Sequence, residues 1–256
     1  MRFFYDGLTF WVNDNGELTE MISSGPGSEA YIPQALYSGE DMVEIKSIGS
    51  SFVSGRFSKI TISNAIEVVN DFAFMNAHVG TVVWSKGCKT IPAHCFSSST
   101  IERISNIEDV TKIKCNAFDY SYITHFDWPA GCKEIPICCF SKSALKVISN
   151  IDNVTKIGRG AFSGCDIKRF KWPSGCDTIP DECFFFSKLQ SISNIEHVTR
   201  LGKESFSHCK LKSLDMSNLA ISDIGAHSFA GILPDNITLP YYFSKDDCEL
   251  MFREVK

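Results

Sequence analysis

The 256-residue chain lacks most of the signatures that announce a chemistry. No apolar run approaches the ~20 residues that a membrane span requires, so no membrane insertion is expected. No phosphate-cradling glycine loop, nucleophile elbow or metal-binding helix motif occurs, and the carboxylates are scattered without a convergent pair. The 11 cysteines include no C-x-x-C, and the C-x6-C spacing of Cys88 with Cys95 matches no common zinc pattern. Neither a metal nor a cofactor is therefore expected. An excess of positive charge is missing too: the formal net charge is −5, which gives nucleic acid no electrostatic footprint. The N-terminus, MRFFYDGLTFWV, has one Arg, an early Asp and no small-residue cleavage site, and reads poorly as a signal peptide. An apolar fraction of 44% with a mean hydropathy of −0.03 describes a soluble protein with a full core.

What is present is a period. Phe52, Phe74, Phe96, Phe118, Phe140, Phe162, Phe184 and Phe206 follow one another at steps of 22, and Phe229 comes one residue late. Phased copies of so short a unit mean a solenoid, in which each coil completes its core only against its neighbours. Other columns keep the phase. Val79, Ile101, Ile123, Leu145, Ile167 and Leu189 stand five after each Phe. Val82, Ile104, Phe126, Ile148, Phe170 and Ile192 stand three further on. Two beyond these come Trp84, Asn106, Trp128, Asn150, Trp172 and Asn194, the alternation of a short strand with one buried face. A later column runs Ile66, Cys88, Val110, Cys132, Val154, Cys176, Val198, Ala220. Nine coils stacked ~4.8 Å apart would make a rod about 40 Å long.

A rhythm of two coils overlies the first. Trp84, Trp128 and Trp172 open near-copies (WSKGCKTIPAHCF, WPAGCKEIPICCF, WPSGCDTIPDECF), and the coils between share ISNIEDVTKI, ISNIDNVTKI and ISNIEHVTRL. The unit is a pair of unlike coils, A and B. Ile157-Gly158-Arg159-Gly160-Ala161-Phe162 and the stretch from Ile167 to Pro173 (IKRFKWP) resemble the two halves of the BspA-like leucine-rich repeat, over about residues 30–233. The resemblance implies a leucine-rich repeat with about nine coils and a parallel sheet on one face. It also implies a cell-surface or secreted protein that adheres to host proteins.

The ends read as caps. Residues 8–22 suit a β-hairpin turning at Asn13–Gly16, where Asn-Gly supplies positive φ. Residues 24–30 (SGPGSEA) suit a connector before a first coil at Tyr31-Ile32-Pro33. Ile237–Leu239 suits a last strand, and Ser244 with Asp247 starts a helix over 245–254 whose apolar face is Cys248, Met251 and Phe252. The expected division is an N-terminal cap over 1–30, a solenoid over 31–233 and a C-terminal cap over 234–256.

Cysteine takes the place of Val and Ala in two inward columns, as a small buried hydrophobe does. Cys88, Cys132 and Cys176 form one and Cys95, Cys139 and Cys183 the other. Column members are two coils, about 9.5 Å, apart, beyond the ~7 Å Cα limit of a disulfide. Cys115, Cys138, Cys165, Cys209 and Cys248 fall in less regular positions. Many core thiols and the poor signal point to a reducing compartment, against the resemblance, so localisation stays open. His94-Cys95 and His208-Cys209 adjoin in repeat turns where no dyad forms, and no enzyme is expected. Strand parity turns Asn106, Asn150 and Asn194 inward to bind turn backbone, and turns the three coil-A tryptophans toward the core.

In a solenoid the residues flanking the inward ones line one continuous face, and repeat proteins commonly bind along it. Its charged members here are Lys59, Arg103, His125, Asp127, Arg169, Lys171 and Asp215, with Arg169 and Lys171 the densest spot of a mildly positive face. The function expected is a non-catalytic, monomeric protein-binding module using those residues. Alternatives are an intracellular inhibitor, immunity factor or scaffold, and a plain spacer.

Overall fold

The computed structural model describes residues 1–23 and 27–254. It is a β-solenoid of about nine turns. Strands Ser28–Ile32, Arg56–Ile62, His78–Val83 and Arg103–Ser105 pair in parallel, with Lys59, Thr81 and Arg103 in one row. The row continues as separate pairs: His125–Asp127 with Val147–Ser149, Arg169–Lys171 with Ser191–Ser193, and Leu214–Asp215 with Ile237–Thr238. A second row of two-residue strands (Thr90–Ile91 with Lys112–Ile113 and its counterparts) runs up another side.

The phenylalanine column is the spine. Every ring from Phe52 to Phe229 is fully buried, with centroids 5.0 to 6.0 Å apart; Phe52 and Phe74 meet edge to face and the rest stack. The main chain climbs beside the rings. Phe96 N–H donates to Ala117 O at 2.8 Å, Phe118 to Cys139 O at 2.9 Å and Phe140 to Ala161 O at 2.9 Å. Each Phe from 74 to 229 is flanked, two residues before and two after, by left-handed backbone: His94 and Ser98 about Phe96, Cys138 and Lys142 about Phe140, Glu182 and Phe186 about Phe184. These paired reversals turn the ring inward. Only Gly160, Gly164 and Gly231 hold such places without a side chain to strain. Three residues after the Phe, the hydroxyls of Ser99, Ser121 and Ser143 donate to the Phe carbonyl, at 2.8, 2.7 and 2.8 Å.

The hairpin at the N-terminus has its turn at the expected place, between Leu8–Val12 and Glu17–Ser23. Arg2–Tyr5 adds a third antiparallel strand, and Glu17–Ser23 pairs in parallel with Ser47–Ile48 and Val53–Ser54. The connector expected over 24–30 falls partly outside the described residues (24–26); Ser28, Glu29 and Ala30 belong instead to the first strand of the main row. A further hairpin, Ala35–Ser38 with Asp41–Glu44, turns at Gly39, whose φ is +65°. At the other end the helix is Lys245–Phe252, with Ser244 and Asp247 forming a reciprocal capping box. It closes the spine: Phe229 N–H donates to Met251 O at 3.0 Å, and the Phe252 ring lies 5.5 Å from Phe229.

Two expectations about the columns need correction. Ala220 is exposed and Ile221 is buried in its stead. The extra residue before Phe229 lies in the turn between Met216 and Ile221, and pairs beyond it sit one further apart, as Leu201 with Ile224 and Leu214 with Ile237 do. Asn106, Asn150 and Asn194 do not point into the core. They end their strands with φ of +64°, +61° and +61°, half-buried at 106 and 194 and exposed at 150, because the reversal swings the amide out of the strand's alternation. The tryptophans are core: each is buried, and its indole N–H donates to the carbonyl four residues on, at 3.1, 2.9 and 2.7 Å.

Two stability measurements test the spine. Phe140→Ala removes a ring stacked on both sides and should cost about 3–5 kcal/mol by urea denaturation; a smaller loss would mean that the column is not the core. Asp119 stands where Ser97, Ser141, Ser163 and Ser207 stand in other coils, and its buried Oδ1 has no hydrogen-bond partner among the described residues, with His94 Nδ1 at 3.9 Å. Asp119→Ser should therefore stabilise the fold by about 1–3 kcal/mol in the same assay.

Candidate partner-binding face

The seven residues expected on the strand face are divided among different surroundings. Arg103, His125 and Asp127 line one cavity of about 950 Å³. Arg169 and Lys171 line a second of about 180 Å³, and Asn150 and Asp152 border both. Lys59 and Asp215 line neither. Lys59 pairs with Glu29 at 3.4 Å. Asp215 accepts the Ser217 N–H at 2.9 Å, a bond that holds its carboxyl below the ordinary value.

The cavities lie where the strand row breaks. Coil A pairs with the coil B that follows it, but no strand pairing joins Arg103–Ser105 to His125–Asp127, or Val147–Ser149 to Arg169–Lys171. The breaks uncover core. Ile104, Ile148 and Ile192 of the B coils are only partly buried, while Val82, Phe126 and Phe170 of the A coils are buried.

The electrostatics differ between the two. Glu102, Glu108, Asp127 and Asp152 oppose Arg103 in the large cavity, four carboxylates to one guanidinium and a formal −3 with His125 neutral. The small one has Lys146, Arg169 and Lys171 against Asp152, a formal +2. Lys171 Nζ meets Asp152 Oδ1 at 3.0 Å, so part of the positive spot is already satisfied. The mildly positive face expected from the outward strand residues is thus acidic in its larger recess. The reason is that three carboxylates come from outside the strands, Glu102 just before one and Glu108 and Asp152 in the turns after them. Asp127 also accepts from Ser149 Oγ, and His125 Nδ1 is 3.0 Å from Thr124 Oγ1.

The profile of the BspA type leucine rich repeat region matches residues 42–146 and 111–234, in six copies. The chain belongs to this family. Among solved structures, this leucine-rich repeat chain is similar to a leucine-rich repeat protein from Bacteroides ovatus, at 20% identity and a TM-score of 0.78, over 98% of this chain and 70% of that one. It is also similar to the pneumococcal vaccine antigen PcpA, at 16% identity and a TM-score of 0.55, over 94% and 70% of the two chains. Both likenesses concern fold. No curated protein matches the sequence.

In this BspA-type chain the cysteines follow the columns further than expected. Cys165 and Cys209 take the place that Ser99, Ser121, Ser143 and Ser187 hold three after the Phe, and both are buried. Cys115 is exposed, and Cys138 and Cys248 are half-buried. Burial pushes the core thiols up: from an ordinary 9.0 to about 11 at Cys132 and Cys176, to about 12 at Cys165 and Cys209, and well above 9.0 at Cys95, Cys139 and Cys183. Thiols so raised are neutral and unreactive at pH 7. A thiol reagent should label Cys115 first, with Cys95, Cys139 and Cys183 silent until unfolding, read by mass spectrometry. Folded thiols keep their protons while unfolded ones ionise near 9.0, so stability is fully present below that pH and is lost as pH rises toward 11–12. Urea midpoints measured up the alkaline limb check the sign.

Proposed function

We propose that the chain is a non-catalytic protein-binding module, monomeric, that recognises a partner along its strand face. The division proposed with it is a binding solenoid over 31–233 with caps over 1–30 and 234–256, the strand Ser28–Ile32 running across the first boundary. The observation that carries the reading is the meeting of five of the seven expected residues, Arg103, His125, Asp127, Arg169 and Lys171, in two neighbouring recesses on one face. Each recess combines uncovered isoleucine with charged rims, the mixture of apolar anchor and polar border that protein interfaces use. The family resemblance favours a cell-surface or secreted protein adhering to host proteins. The buried thiol columns favour the second reading, an intracellular inhibitor, immunity factor or scaffold.

The test is capture of partners from own-cell lysate and from purified extracellular matrix proteins by three immobilised forms. These are the unaltered chain, Arg169→Glu/Lys171→Glu, and Lys112→Glu on the second strand row as a control. The strand-face variant should bind at least about tenfold more weakly, with the control unchanged. Equal binding by all three would remove the strand face from consideration. A matrix partner supports the surface reading, and a cytosolic one supports the intracellular reading.

A further inference from the structure

Beyond the two recesses, the strand face carries a charge asymmetry that runs over whole coils. Residues 144–149, 166–171, 188–193 and 210–215 are its stretches in four successive coils. They hold seven cations and two carboxylates, a formal +5, and Asp152 from a neighbouring turn brings this to +4. The same stretches of the three coils before them, 78–83, 100–105 and 122–127, sum to a formal −1. On a chain of net −5, the C-terminal half of this face is therefore a separate basic patch.

Main-chain bonds bring the cations together. Lys188 N–H donates to Cys165 O at 3.0 Å, Gln190 N–H to Lys168 O at 2.8 Å and Lys212 N–H to Gln190 O at 3.1 Å. Arg169 and Lys171 pair in register with Ser191 and Ser193. Lys210 lies two residues before Lys212, and Lys146 joins the group across the small recess that it lines with Arg169 and Lys171. All seven side chains are exposed. Two are already engaged, Lys171 with Asp152 at 3.0 Å and Lys188 with Asp166 at 2.6 Å. Among the described residues, the other five have no carboxylate within ion-pair distance, and Asp215 accepts the Ser217 N–H instead. They share an area of about 16 Å along the strands by about 14 Å across the coils. Five like charges held so close repel one another, and a ligand of opposite sign offsets that repulsion.

Apolar spots lie among the cations. Val147 and Phe186 are 50% and 58% exposed, and Ile148 and Ile192 are only partly buried. Phe186 stands two residues before Lys188, its ring stacked on His208 at 4.4 Å. Six of the seven cations are lysine, a point charge without the planar fork with which arginine grips phosphate. A sulfated sugar polymer offers nothing to the aliphatic spots, and a nucleotide chain is gripped best by arginine. A protein segment with acidic and apolar side chains matches both features.

We propose that this patch docks an acidic protein segment, its carboxylates on Lys146, Lys168, Arg169, Lys210 and Lys212 and its apolar side chains over Ile148, Ile192 and Phe186. The segment lies on the outer surface of the row, across the coils, and takes no place between strands. This rests on the strand-face reading and names the chemistry of its partner.

The probe is a fluorescein-labelled octapeptide of glutamate, leucine, glutamate and serine repeated twice, followed by fluorescence anisotropy. At about 3.3 Å per residue it is long enough to cross the patch. It should bind saturably, and the same peptide with lysine for glutamate at least about tenfold more weakly. Serine in place of leucine should cost about tenfold through the lost apolar contacts. Lys168→Gln/Lys210→Gln/Lys212→Gln should weaken the acidic peptide by about tenfold, while Lys112→Gln on the second strand row should leave it unchanged. Equal binding of the lysine peptide, or indifference to the triple variant, overturns the patch as the site. Indifference to the loss of leucine overturns the apolar spots. A sulfated oligosaccharide or a single-stranded oligonucleotide that displaces the probe better than unlabelled peptide of equal charge overturns the choice of a protein partner. Absence of any binding by the acidic peptide overturns the proposal whole. If a captured protein partner is then still lost with Arg169→Glu/Lys171→Glu, the strand-face reading survives this failure; if the peptide binds but no captured partner depends on 169 and 171, only the broader reading fails.

Discussion

The stack of phenylalanine rings is the constraint on which the rest depends. No coil of 22 residues buries its own apolar surface, so a ring is buried only if the coils above and below present theirs at the same height. The rings at 5.0 to 6.0 Å and the main-chain bonds beside them enforce one register along the chain. Once that register holds, strand pairing at intervals of 22 follows, as Thr81 with Arg103 and Arg169 with Ser191. Both ends must then be closed. The antiparallel strands from Arg2 to Ser23 and the helix Lys245–Phe252 do this by quite different means.

The recessed strand face is a by-product of imperfect repetition. Coils A and B pair in the strand row, and in two of the three blocks the tryptophan of A accepts a bond from the asparagine of B, but no strand pairing joins Arg103–Ser105 to His125–Asp127 or Val147–Ser149 to Arg169–Lys171. The missing pairing costs some burial of Ile104 and Ile148 and leaves main-chain groups of His125 and Asp127 unpaired. It leaves recesses in a sheet that an unbroken repeat would have sealed. The duplication of a two-coil block, visible as the alternation of Trp and Asn, is thus the origin of both the stability within a block and the openings between blocks.

Much of the architecture was legible because burial repeats. The Phe, Ile and Cys columns could be placed inside from phase alone, and Trp84, Trp128 and Trp172 are where parity put them. Parity failed at Asn106, Asn150 and Asn194, since one left-handed residue is enough to take a side chain out of alternation. The reversals two residues either side of each Phe were not legible at all. Residues as different as Cys138, Glu182 and Phe186 occupy them, and the hydrogen bonds of the stack, not the side chains, impose the positive φ.

Of the face, the sequence by itself determined which residues point outward from the strands, because alternation is a local property of the chain. It also determined the fold family, the number of coils and the identity of the core. The tertiary structure decided where the sheet breaks, that the larger recess is acidic, and that Asn150 alone among its counterparts has an unbonded amide. These depend on small displacements between coils and on turn residues such as Glu108 and Asp152 that reach the face from outside the strands. A period records that coils stack; it does not record how closely each pair of them meets.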